Sequence, residues 1–286
     1  MPRMLKSGAK VAAMAHEFFR RHWQRALIIR DRLRLSEEAW HMLMAAGVGV
    51  LGGLTNWAYH LGNQIIQWLV FGQGGELTEA AQAMAAWKRP LIPALGGVAS
   101  GLVLFWGLRL LRSPGLTNLL EAVVAGDGRL PLRTGLVTAL SSLLSISTGA
   151  SIGREGLIVQ LSATLSSKLG QIAQWPPYRL RLLVACGAAS GIAASYKAPI
   201  AGAVFAAQIV LGNFSMNLFA PLVVASVVAS IISRGIFGSV PWYDVPSFDF
   251  TRLTQMPWFI LLGVLSGILG ASTSRSCFCK AANNSA

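Results

Sequence analysis

Four long stretches of this chain carry no Asp, Glu, Lys or Arg: between Glu38 and Glu76, Arg89 and Arg109, Arg133 and Arg154, and Lys197 and Arg234. Each is close to or longer than the roughly 18–20 apolar residues that cross a bilayer. Charged residues make up only 12% of the chain, against roughly a quarter in a soluble domain. A soluble core does not exclude charge over such distances, so the reading is an all-helical, multi-pass integral membrane protein embedded in a lipid bilayer.

The formal net charge is +13. Basic residues crowd the edges of the apolar segments, most densely at Arg20, Arg21, Arg25, Arg30, Arg32 and Arg34. That distribution follows the positive-inside rule and predicts a cytoplasmic N-terminus. It differs from the aromatic-interleaved basic stripe of a nucleic-acid binder, and no nucleic-acid partner is expected. Charges at Arg3, Lys6, Lys10 and Glu17 interrupt any signal-peptide core. Residues 17–38 read as a basic surface helix against the membrane face.

The first apolar run, Ala39 to Gly75, is too long for one upright helix and predicts a tilted span with a loop. Its histidines, His41 and His60, read as interfacial residues. Pro90–Leu108, Thr134–Gly149, Leu182–Ala194 and Leu218–Ile232 are further apolar helices, and a last one begins near Pro257 and ends near Gly270. Leu116–Ala125 is too short to span. Breaks fall at Ser113–Thr117, at Gly153-Arg-Glu-Gly156 and at Tyr196-Lys-Ala-Pro199. Irregular backbone at membrane depth is tolerated only where protein or a cavity surrounds it, and broken helices point to transport sites. Cys186, Cys277 and Cys279 form neither a metal set nor a disulfide framework.

The segment Gly149-Ala-Ser-Ile-Gly-Arg-Glu-Gly156 carries the chemistry. Glycines admit a ligand to the backbone, and a helix starts just after, presenting unpaired N–H donors and about half a positive charge. That is an anion site. Arg154 adds positive potential, and Glu155 is the only carboxylate between Asp127 and Asp244. Burying such a group in a bilayer costs about 2.5–3.5 kcal/mol. Its charged form competes with an anion for the same donors, and its protonated form leaves them free. Two roles fit Glu155, a gate or a purely structural ion pair.

Gly153-Arg-Glu-Gly156, together with Cys186-Gly-Ala-Ala-Ser-Gly-Ile-Ala-Ala-Ser-Tyr-Lys-Ala-Pro-Ile-Ala-Gly202, resembles the signatures of the ClC chloride channel and transporter family. The likeness covers roughly residues 35–275. It implies a homodimer with one chloride pathway per subunit, two inverted halves, and helix N-termini meeting at the anion. It carries the gating role to Glu155, and anion binding to Gly153, Arg154 and Gly156. Ser113-Pro-Gly-Leu-Thr117 falls where the family has its first anion loop, which makes Ser113, Gly115 and Leu116 further anion contacts. No cofactor, metal or enzymatic activity is implied, and neither HExxH nor GxSxG occurs.

The chain departs from the family pattern in four places. Pro114 stands near the expected coordinating serine, Leu157 where many members have proline, and Gln208 and Ile209 where exchangers carry an inner glutamate. The last two departures are similar to the bacterial ClcB-type branch, which implies an inner-membrane, voltage-gated channel. The anion loop and tyrosine of the second half are not found after residue 250, so the expectation is a first inverted repeat plus the start of the second, truncated or frame-shifted. The expected division is a basic N-terminal segment (1–38), a transmembrane domain (39–271) and a polar tail (272–286). The functional expectation is passive, gated chloride transport, with a proton-coupled exchanger or a non-conducting fragment as alternatives.

Overall fold

A computed structural model describes residues 37–72, 88–111, 119, 123, 126–150, 152–238 and 256–283. The expected N-terminal surface helix up to residue 36 and the Ser113–Thr117 loop lie outside the described residues. Among the described residues the only regular elements are helices. They are α1 (Glu37–Phe71), α2 (Lys88–Leu111), α3 (Leu132–Ser147), α4 (Glu155–Ile172), α5 (Pro177–Tyr196), α6 (Pro199–Phe205), α7 (Met216–Phe237) and α8 (Met256–Asn283). A π-helical turn, Ala206–Leu211, continues α6. Helix α8 belongs to a second compact unit, residues 241–286.

The first unit is organised around α5. Its residues from Leu183 to Ser195 are buried without interruption. A helix hydrophobic or small on every face has no solvent side and must be covered all round. Helices α1, α4, α6 and α7 supply the cover. Small residues let the backbones meet, as the Gly/Ala-rich run predicts. A Cβ on Gly187 would lie 2.8 Å from Ser162 O and 2.9 Å from Ala163 Cα of α4. One turn on, a Cβ on Gly191 would sit 3.1 Å from Val159 Cα. On α6, a Cβ on Gly202 would fall 2.6 Å from Ala189 O.

Helix α1 differs from expectation. It is one unbroken helix of 35 residues, about 52 Å at 1.5 Å per residue. The loop expected from the length of the run does not occur within Glu37–Phe71, where the glycines are contact points. A Cβ on Gly49 would lie 2.5 Å from Ala225 O, one on Gly53 2.7 Å from Ile232 Cγ2, and one on Gly52 would strike the Ser190 side chain. A helix of that length fits a bilayer only when tilted. Below these contacts, the fully buried Asn56 amide donates to Ala194 O at 3.1 Å and Ser233 Oγ at 3.2 Å, and Ser233 Oγ donates to Ala194 O at 2.8 Å. That cluster ties α1, α5 and α7 at one level.

Helices α2 and α7 are long and apolar enough to cross a membrane. Helix α2 exposes apolar side chains along one face, among them Leu95, Val98, Leu102, Phe105 and Trp106. Within the predicted short segment 116–125, Leu119 and Val123 are helical and buried, one turn apart on one face. Helix α8 also differs: it runs on to Asn283 instead of ending near Gly270. Neither glycine nor proline follows Gly270, and Ser272 Oγ satisfies itself on Leu269 O at 2.8 Å.

Replacing Gly187 by valine is expected to cost about 1–3 kcal/mol through overpacking against α4. A Cβ on Gly47 would meet nothing within 4 Å, so Gly47→Ala is expected to be neutral or slightly stabilising. Thermal unfolding of the two variants in detergent checks the contrast; equal midpoints would contradict it.

Candidate functional site

The candidate site is the junction between α3 and α4. Helix α3 ends at Ser147, and the Thr148 hydroxyl donates back to Leu144 O at 2.9 Å and Ser145 O at 3.0 Å. The chain then turns at Gly149, whose φ of +108 excludes ordinary side chains. The amide of Gly149 donates to Ile146 O and that of Ala150 to Ser145 O, both at 3.1 Å. Helix α2 presses on this turn: Pro93 Cγ lies 3.4 Å from where a Gly149 Cβ would be, and a Cβ on Gly96 would strike the Thr148 side chain. The turn is thereby fixed from two sides before α4 begins.

Helix α4 starts at Glu155 with Arg154 at its N-cap, and no side chain caps it. Ile158 N donates to Arg154 O at 3.2 Å. The amides before Ile158 in that first turn have no intrahelical acceptor, which leaves a patch of donors at the positive end of the helix dipole. The Glu155 side chain folds back over the preceding glycine, since a Cβ on Gly153 would collide with Glu155 Oε2. No ion pair engages Glu155 among the described residues. Arg154 and Glu155 are half-buried, while Gly153 and Gly156 are exposed and a Cβ on Gly156 would meet nothing within 4 Å. Four of the predicted site residues, Gly153, Arg154, Glu155 and Gly156, therefore share one helix N-terminus with an open side. Ser113, Gly115 and Leu116 lie outside the described residues.

A profile of the voltage gated chloride channel family matches residues 96–280. The chain belongs to that family. It is 41% identical over 234 residues to a putative chloride channel protein, ClcB-like, of Ralstonia nicotianae, covering 80% of this chain and 54% of that protein. It is 36% identical over 233 residues to the voltage-gated ClC-type chloride channel ClcB of Yersinia pseudotuberculosis, covering 80% and 56%. The structure resembles the crystal structure of a slow cyanobacterial Cl−/H+ antiporter, with a TM-score of 0.57, 22% identity, and 82% and 55% of the two chains covered. At that identity the likeness concerns the fold, and it makes this an all-helical ClC-type membrane fold. The chain spans about half the length of the curated relatives it matches.

One feature of this ClC-family chain is not legible in its sequence. Lys197, the C-cap of α5, adopts the left-handed conformation at φ 55. Its ammonium donates to Gly238 O, at the C-cap of α7, at 2.8 Å. In return, Arg234 of α7 donates to Lys197 O at 2.9 Å. Each helix thus has its terminal carbonyl covered by a cation from the other, which suits the negative end of both dipoles. The signal is present in Tyr196-Lys-Ala-Pro199 and in an arginine near the end of α7, but pairing them requires knowing that the two helix ends meet. His60 packs between, its ring 4.8 Å from Phe237, close enough to Arg154 and Lys197 to feel both charges. It is partly buried and packs against the last turn of α7.

Proposed function

We propose that this chain forms the gated anion site of a chloride pathway, with Glu155 as the gate. The observation that carries the reading is the uncapped α4 N-terminus with the Glu155 carboxylate folded back beside it. Gly153 and Gly156 let an anion approach the backbone donors, and Arg154 raises the local positive potential. Ser113, Gly115 and Leu116 would complete the site from a second helix start. With the carboxylate charged, the donors face a tethered competitor. Protonation or outward rotation frees them for chloride. The chain needs no cofactor for this, and the activity is transport rather than catalysis.

Channel-like conduction is favoured over exchange. Proton antiport needs a second titratable group on the other side of the gate, and Gln208 and Ile209, exposed on the π-helical turn, bring no carboxylate. The proposed organisation is a basic cytoplasmic segment up to residue 38, a transmembrane domain over 39–271 and a polar tail over 272–286, in a bacterial inner membrane. Two copies would pair through the uncharged region between Pro199 and Ile232. A reporter at residue 1 active only outside the cell, or cross-linking that yields monomer alone, would contradict the orientation or the pairing respectively.

The test of the gate is chloride flux into liposomes, with the chain supplied together with a complementary second half from a relative. Wild type is expected to open more as pH falls, because protonation removes the competitor. Glu155→Gln is expected to lose most of that pH dependence. The current should reverse at the chloride potential alone; a reversal that moves with the pH gradient at fixed stoichiometry would favour the exchanger. An unchanged pH profile in Glu155→Gln would reject the gate.

A further inference from the structure

Tyr59, Gly62 and Asn63 lie on one side of α1, three and four residues apart. That side meets the chain both before and after the α3–α4 junction. Ahead of the junction, the hydroxyl of Ser147, the last residue of α3, donates to Asn63 Oδ1 at 2.8 Å. Beyond it, Tyr59 packs against Leu157 and Ile158 in the first turn of α4, and Ala139, Leu143 and Ile146 of α3 close the same small apolar cluster. Gly62 allows the approach, since a Cβ there would lie 2.9 Å from Leu143 Cδ2. Both ends of the segment that carries Gly153, Arg154 and Glu155 are therefore seated on one turn of one helix.

Two observations set this contact apart from general packing. Hydroxyls within a helix commonly turn back on the carbonyl one turn earlier. Thr138 does so on Thr134 O at 2.9 Å, Thr164 on Gln160 O at 2.6 Å and Ser166 on Ser162 O at 2.7 Å. Ser147 is fully buried, and its hydroxyl instead reaches across to α1. The cluster of Tyr59, Leu157 and Ile158 is also separate from the main core around α5. The junction thus has a foothold of its own, in addition to the seat of α4 on α5.

We propose that Asn63 is a positioning residue for the gate: by holding Ser147, it fixes the backbone from which the Glu155 carboxylate reaches the donors at the start of α4. The inference rests on the reading of Glu155 as a gate and extends the machinery to α1, far away in sequence. A side chain works at a site only when its backbone is held to within about 0.5 Å of the productive geometry. With the anchor loosened, the charged carboxylate holds the donors less firmly, and an anion displaces it before protonation is complete. The pH at which anion binding sets in therefore rises.

Chlorine NMR line broadening by the purified full chain in chloride, followed against pH, tests this without requiring conduction. Wild type is expected to bind more chloride as pH falls, and Glu155→Gln to bind it throughout. Asn63→Leu and Ser147→Ala should each raise the pH midpoint by about half to one unit, the equivalent of one hydrogen bond. Ser147→Ala removes a single oxygen, so its result does not hinge on a change of shape. The double variant should shift no further than the larger single one, because both remove the same contact. Asn56→Leu, which breaks the α1–α5–α7 cluster instead, should lower the thermal unfolding midpoint and leave the pH midpoint in place. Wild-type or lowered pH midpoints in Asn63→Leu and Ser147→Ala, beside a flattened Glu155→Gln profile, would overturn the positioning role and leave the gate standing. An equal shift in Asn56→Leu would reduce the effect to general loosening and overturn it too. A Glu155→Gln profile like that of wild type would overturn the gate, and this inference with it.

Discussion

Close backbone packing around α5 is the constraint on which the rest depends. In lipid, burying apolar side chains gains little over leaving them in hydrocarbon, so association rests on contact density and internal hydrogen bonds. This chain meets that condition with glycine where helices touch: Gly187 and Gly191 against α4, Gly202 of α6 against α5, and Gly49 and Gly53 of α1 against α7. The Asn56–Ala194–Ser233 cluster adds directional polar contacts at one level of the same bundle. Because α4 is seated on α5 at backbone distance, its N-terminus has a fixed position. The proposed anion site would inherit its geometry from that seat and not from its own few residues.

The turn that leads into α4 is held in the same way. Gly149 adopts a conformation open to glycine, and α2 packs Pro93 and Gly96 against it. Gly128 and Leu130, ahead of α3, are tied to α4 by Ser167, which donates to Gly128 O at 2.7 Å and accepts from Leu130 N at 2.9 Å. Gln171 adds a bond to Leu130 O at 3.1 Å. The two ends of α3 are thus anchored, one to the body of α4 and the other to the loop before it. A rigid frame with an uncapped helix start is what an electrostatic anion site requires, since the donors then need no reorganisation when charge arrives.

Much of this is legible in the sequence, for reasons that differ between elements. The charge-free runs identify a membrane protein because composition alone enforces that conclusion. The Gly-Arg-Glu-Gly segment marks the candidate site because glycines, a cation and a lone carboxylate stand together at a helix start, and the structure does place all four at the start of α4. Helix α1 reads in the sequence as a tilted span with a loop because its apolar run exceeds one upright crossing, and length alone does not show that Gly49, Gly52 and Gly53 pack against neighbours within one unbroken helix. Helix α8 reads as ending too early, because polar residues after Gly270 suggest a tail whereas Ser272 satisfies its hydroxyl within the helix. The reciprocal caps of Lys197 and Arg234 are invisible, since 37 residues separate the partners and only the tertiary fold brings two helix ends together.

The central claim is that the Glu155 carboxylate and an anion compete for the donors at the start of α4. Crystals of wild type and of Glu155→Gln, soaked in bromide and measured at the bromine absorption edge, address it directly. The account predicts an anomalous peak within hydrogen-bond distance of the first-turn amides of α4 in Glu155→Gln, and a weaker peak or none there in wild type at neutral pH. Bromide absent from that helix start in both proteins, or present equally in both, would contradict it.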